Sequence, residues 1–123
     1  MLRCCGLRVG CHSHSHAILP ALSDSELDVE IVESKARLEA MTGAACTSFS
    51  YPNGDHDPRC VRLVRAHYRL GVTTQWGSNR RSADRATLRR FDMDARHIRS
   101  GLGNLAVPLL AWRMSGLYPG LTQ

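Results

Sequence analysis

Lysine is almost missing from this chain: Lys35 stands alone beside fifteen arginines in 123 residues. The net charge of +5 is therefore an arginine charge, and it is scattered along the sequence rather than gathered in a block. Such a surface can attract anionic partners, with a genome-wide codon preference for arginine as the competing explanation. Disulfide signals are also missing. Cys4, Cys5, Cys11, Cys46 and Cys60 are odd in number and contain no C-x-x-C pair, which does not look like a secreted disulfide framework. Cys46 and Cys60 read as buried free thiols. The stretch from Met1 to Gly6 is too short and too weakly apolar for a secretory signal. The uncharged run from Ser100 to Trp112 falls short of the roughly 20 apolar residues a membrane span needs. No repeat and no low-complexity segment is present. What remains is one domain at most, with no membrane span expected and a cytoplasmic location as the default.

A hydrophobic content of 43% supports a packed core. Leu7 to Gly10 reads as the end of a strand. Ser23-Asp24-Ser25-Glu26 is a capping box, and Leu27, Ile31, Ser34, Leu38 and Met41 follow at helical spacing on one stripe. Glu33 and Arg37 make an i,i+4 pair on the outer face, and Gly43 stops the helix. Cys46 to Ser50 is a short β-type run ending in the turn Tyr51-Pro52-Asn53-Gly54. Asp57 and Pro58 then start a second helix as N-cap and N1, with Val61, Val64 and Tyr68 inward. Leu70 to Thr74 is a second compact strand, and Leu88 to Met93 follows a polar, arginine-rich loop as a third. Ile98, Leu102, Leu105, Leu109 and Trp112 space a further helix, with a break near Pro108. Strands alternating with helices predict an α/β fold with a parallel sheet, in which ligands gather at the carboxyl ends of the strands. The expected division is residues 1–93 as the α/β domain and 94–123 as a helical tail.

Two stretches carry chemistry. In Cys11-His12-Ser13-His14-Ser15-His16 three imidazoles alternate, and His12 and His16 are spaced so that one turn or loop can aim both at a divalent ion. A solvated His/Ser loop that binds metal adventitiously is the bland alternative. In Ser50-Tyr51-Pro52-Asn53-Gly54-Asp55 the Pro-Asn-Gly turn exposes backbone N–H groups suited to an oxyanion, and Tyr51 offers an aromatic wall for a sugar. An ordinary strand-to-helix turn is the alternative there. Both loops follow predicted strands, so they share one rim of the sheet.

Taken together and in order, His12 to His16, the helix from Ser23 through Leu38, and Ser48 to Gly54 resemble the polysaccharide deacetylase family (the NodB-homology domain). These are metal-dependent carbohydrate esterases that remove N- or O-acetyl groups. Tyr68 to Thr74 is similar to the strand that follows in such proteins, and the resemblance covers roughly Val9 to Phe91. It implies a partial, truncated irregular β/α barrel, with parallel strands and flanking helices, formed from the C-terminal part of the domain. It also implies that His12 and His16 bind a divalent metal ion, zinc by donor type, while His14 falls at a variable position. Tyr51, Pro52, Asn53 and Gly54 would form the oxyanion and substrate turn, with the Asn53 backbone amide as donor. Ser50 stands where many members carry an arginine that orients the base. The implied substrate is an acetylated carbohydrate polymer or oligosaccharide. The family's opening Thr-Phe-Asp-Asp-like motif, which supplies the base and the metal carboxylate, has no counterpart here, the chain starting past its place. The late Leu-x-His motif is unmatched as well, and His97 lacks that setting. Asp55 and Asp57 are candidate bases by position only, so no catalytic residue is assigned and the chain alone is expected to be weakly active or inactive.

Two other function classes compete. One is a small non-catalytic metal-binding protein using the tract from His12 to His16, including His14, with or without Cys11. The other is nucleic-acid binding by Arg59, Arg62, Arg65, Arg69, Arg80 and Arg81, of which Arg62, Arg65 and Arg69 can share a helix face. No recognised nucleic-acid motif accompanies these arginines, so no nucleic-acid partner is expected.

Overall fold

Three short strands, β1 (Ser48–Ser50), β2 (Leu70–Trp76) and β3 (Leu88–Arg90), run parallel in the order β1-β2-β3 in a computed structural model that describes residues 8–91. Ser48, Phe49 and Ser50 pair with Leu70, Gly71 and Val72, while the β2–β3 ladder is irregular between Val72 and Trp76. On the free side of β1, Cys11 forms a parallel bridge to Phe49, its N–H donating to Ser48 O and its carbonyl accepting from Ser50 N, each at 2.8 Å. The expected strand ending at Gly10 is thus reduced to this single bridge. With helices flanking an unclosed parallel sheet, the arrangement is α/β and consistent with a partial β/α barrel. The expected helical tail at 94–123, together with Cys4, Cys5 and His97, lies outside the described residues.

The capping box forms as the sequence requires. Ser23 accepts from the Glu26 amide, and the Glu26 carboxylate accepts from the Ser23 amide at 2.8 Å. The helix does not then stay regular. It runs as α1 (Asp24–Leu27), widens into a π-helix over Asp28–Glu33, and returns to α geometry in α2 (Ser34–Thr42). Side-chain hydroxyls compete for the carbonyls inside the wide segment: Ser34 Oγ donates to Glu30 O at 2.6 Å and Tyr68 OH donates to Ile31 O at 2.6 Å. Each wider turn slows the angular advance of the helix, so the stripe drawn at α-helical spacing drifts off the core. Leu27, Ile31 and Ser34 are buried and Leu38 partly so, but Met41 is 84% exposed rather than part of the stripe. Gly43 closes α2 at φ 64°, the left-handed cap a glycine adopts freely.

Helix α3 (Pro58–His67) is capped by Asp57, whose carboxylate accepts from the Arg59 and Cys60 amides at 2.8 and 2.9 Å. Val64 and Cys60 face inward and are fully buried, with Val61 partly so. The helix ends at His67, so Arg69 is not on its face and the proposed Arg62-Arg65-Arg69 row does not form. Arg59 points the other way, bridging Asp24, Asp57 and the carbonyls of Pro20 and Leu22. The core gathers where these elements meet the sheet: Phe49 stacks edge-on against Tyr51 and tilted against Tyr68, over Leu19, Leu27, Ile31 and Val64. Burial pushes the Cys60 thiol up to about 11 and raises Cys46 as well, so both are inert structural thiols.

Candidate metal centre

The histidine loop leaves the Cys11 bridge and folds back at once, with Ser13 at φ 63° and His16 at φ 61°. Two non-glycine residues in the left-handed region need support from outside the loop. Some is local, as the His16 N–H donates to Ser13 Oγ at 2.9 Å. The stronger support is Glu30, from the π-helical segment. Its Oε2 accepts from the His14 and Ser15 amides at 2.8 and 2.9 Å, and its Oε1 accepts from Ser15 Oγ at 2.5 Å. Glu30 is only 7% exposed. Burial alone would raise its carboxyl, but the hydrogen bonds from Ser15 and His14 outweigh that and hold it below the ordinary range.

This folding brings His12 and His16 together. Their rings stand edge to face with centroids 4.9 Å apart, and both side chains are exposed. His12 Nδ1 lies 2.7 Å from Ser50 O. A carbonyl oxygen only accepts, so Nδ1 carries the proton and Nε2 keeps a free lone pair, the tautomer of a metal ligand with a backbone partner behind it. His14 is turned to other work: its Nε2 lies 3.1 Å from the Arg37 guanidinium, which can only donate, so that lone pair is taken. Cys11 is buried, with Sγ 3.2 Å from Ser34 Oγ, and faces the core. The chelating tract of His12, His14 and His16, with or without Cys11, is therefore not brought together among the described residues.

The turn after β1 sits on the same rim, because Ser50 is both the end of β1 and the partner of His12. Pro52–Gly54 forms a tight turn that leaves helical geometry, with Asn53 at φ 54° and Gly54 at φ 83°. Its Gly54 and Asp55 amides are used within the turn, donating to Tyr51 O and Pro52 O, which leaves the Asn53 N–H at the leading end outside that ladder. Gly54 is required twice over, by its φ and because a Cβ there would strike Thr74 Oγ1 and the Thr74 backbone. Tyr51 is not the expected sugar wall. It is 1% exposed, its hydroxyl donates to Ala86 O at 2.9 Å, and burial pushes its phenol far above the usual range. Strand alternation places it on the same face as Phe49, inside the core. Pro52 is also buried, while Asn53 is exposed.

The donor set fits zinc in kind and in tautomer, but it falls short in number. Among the described residues no three His, Cys, Asp or Glu side chains stand close enough to hold an ion. Asp57 is committed to its helix cap, where the Cys60 amide and Arg59 hold its carboxyl down at about 2. Asp55 is exposed just beyond the turn. The residue that sequence reasoning missed is Glu30. A glutamate within an apolar helical stripe was the available signal, but its partners lie fifteen and sixteen positions earlier and no local pattern announces them.

Comparison with known proteins bears on the family and the fold. The family model described as polysaccharide deacetylase matches residues 2–73, more than half of the chain. No curated protein gives a significant match. Among solved structures, the chain is similar to the Streptococcus pyogenes deacetylase PplD in complex with acetate, with a TM-score of 0.69 and 24% identity over 73% of this chain and 40% of that one. It is likewise similar to a polysaccharide deacetylase from Bacillus cereus, with a TM-score of 0.63 and 25% identity over 68% of this chain and 27% of that one. The chain thus spans less than half the length of either structure. By its family match and its fold, this chain belongs to the polysaccharide deacetylase family.

Proposed function

We propose that His12 and His16 are two ligands of a divalent metal site, zinc by preference, in a deacetylase that hydrolyses acetyl groups on an acetylated carbohydrate polymer or oligosaccharide. The observation that supports this reading is the pairing of the two imidazoles 4.9 Å apart, with the His12 Nε2 lone pair freed by the Ser50 carbonyl. A bound ion of this class supplies Lewis-acid polarisation of the acetyl carbonyl and lowers the pKa of water. The chain's own residues do the positioning. Ser50 O fixes the tautomer and rotation of His12, Glu30 holds the backbone between the two ligands, and the Pro52–Gly54 turn keeps the Asn53 N–H free for a developing oxyanion. The described residues provide no placed base, because Asp57 is tied into its cap.

The purified chain is therefore expected to bind zinc in titration calorimetry but to release little or no acetate from an acetylated chitooligosaccharide. His12→Ala or His16→Ala should each weaken zinc at least about tenfold. Undiminished zinc binding in both variants would remove the metal centre. Robust zinc-dependent acetate release would instead show that the chain supplies its own base and third ligand.

A further inference from the structure

The opposite ends of the strands carry a second feature, which stands apart from the metal centre. Thr47 precedes β1, Arg69 precedes β2 and Leu88 opens β3, and all three line a groove of about 450 Å³ at these amino-terminal ends. Five of its lining residues are arginines: Arg8, Arg69, Arg80, Arg81 and Arg85. All five are exposed, and none has a carboxylate partner among the described residues. The neighbouring acid, Asp84, is already engaged by Arg65 at 2.7 Å. The groove is also partly pre-built. The Arg69 amide donates to Thr47 O at 2.9 Å, and Arg85 O accepts from the Gly71 amide at 2.7 Å, so the backbone of both residues is pinned to the sheet edge.

We infer that this groove binds a compact ligand carrying two or more phosphate groups. Five like charges around one concavity raise the local positive potential and favour an anion there, and no carboxylate among the described residues neutralises them. Guanidinium forks match phosphate oxygens two at a time, which a lysine ammonium does not. The volume suits a small ligand rather than a duplex. None of the lining residues is aromatic, so the groove offers no stacking platform for the bases of a single strand.

The test uses the full chain and inorganic tripolyphosphate in titration calorimetry at about 150 mM salt, where exposed, unfocused charge is largely screened. Saturable binding is expected. The double variant Arg69→Gln/Arg85→Gln should lose about 30-fold or more in affinity, as two charge-assisted contacts disappear. Arg62→Gln, an exposed arginine on α3 outside the groove, should change it less than about twofold. Circular dichroism checks that each variant is folded, which the exposure of these side chains makes the expected result. No binding at that salt, undiminished binding by the double variant, or an equal loss from Arg62→Gln would overturn the site. Tighter binding to a single-stranded oligonucleotide, or to phosphatidylglycerol vesicles without binding of free tripolyphosphate, would overturn the assignment to a compact phosphate ligand.

Discussion

Glu30 and Asp57 are both carboxylates that accept two backbone N–H groups and hydrogen bonds from one side chain, yet they hold different things. Asp57 accepts from residues two and three positions ahead and caps the helix it precedes. Glu30 accepts from residues fifteen and sixteen positions behind it and anchors a loop from the middle of a helix. The local arrangement organises secondary structure. The distant one organises the candidate site, because the amides it holds are those of His14 and Ser15, between the two histidines that face each other. The difference in reach sets the order of the effects expected when each is broken.

Removing Glu30 should do the most damage. Glu30→Ala leaves the two loop amides and the Ser15 hydroxyl without their acceptor in a part-buried setting, at a cost of about 2–4 kcal/mol. Urea denaturation should show that loss as a lower midpoint at unchanged slope. Zinc affinity should fall by about 10- to 100-fold, as expected when the group supporting a ligand loop is removed. Glu30→Gln separates the two effects. It keeps one acceptor oxygen for the amides and recovers most of the stability, but a carboxamide cannot serve the Ser15 hydroxyl and both amides as the carboxylate does. A Glu30→Ala chain that stays folded and binds zinc as the unmodified chain does would show that the left-handed residues Ser13 and His16 hold themselves.

The Asp57 arm of the comparison is smaller and confined to stability. Asp57→Ala should cost about 1 kcal/mol, the usual value of an N-cap, and leave zinc affinity unchanged. Charge and cap can also be told apart by pH. Both carboxyls titrate lower in the folded chain than in an unfolded one. Their contribution is therefore complete above the ordinary carboxyl range near about 4 and is lost as the pH falls through the folded values, about 2 in the case of Asp57. Asp57→Asn keeps a capping oxygen but has no proton to bind, so its stability should fall less steeply between about pH 4 and pH 2. A midpoint that drops with acid equally in both chains would mean that other carboxyls carry the acid limb.

The same contrast explains what could be read ahead of the structure. The Ser23 box, the Asp57-Pro58 start, the Gly43 stop and the Pro-Asn-Gly turn are each written in four or five neighbouring residues, and each forms. The parallel α/β sheet follows from the alternation of strands and helices. What was not legible depended on distant partners. Helical spacing puts Met41 on an apolar stripe, and nothing local signals that Ser34 Oγ and Tyr68 OH take the carbonyls of Glu30 and Ile31 where the helix widens. The residue type of Tyr51 suits a sugar, while its actual partner, Ala86 O, lies 35 positions on. Within the candidate site, spacing leaves open whether two or all three histidines meet, and the family resemblance singles out His12 and His16, whose rings do stand together. The Glu30 anchor and the Ser50 carbonyl behind His12 were not legible.

His14 gives the smallest expected effect and the sharpest control. It sits between two residues proposed as ligands, and Glu30 holds it by its backbone amide, which any side chain retains. Its imidazole is exposed and occupied by Arg37, itself paired with Glu33 at 3.4 Å on the outer face of α2. Surface contacts of that kind contribute no more than about 0.5 kcal/mol, and they are screened by salt. His14→Ala should therefore leave the denaturation midpoint nearly unchanged and shift zinc affinity less than about twofold, against the tenfold or greater losses expected from His12→Ala and His16→Ala. Equal losses at all three positions would show that the loop opens in solution and chelates through every imbedded imidazole, and that Glu30 does not fix which histidines meet.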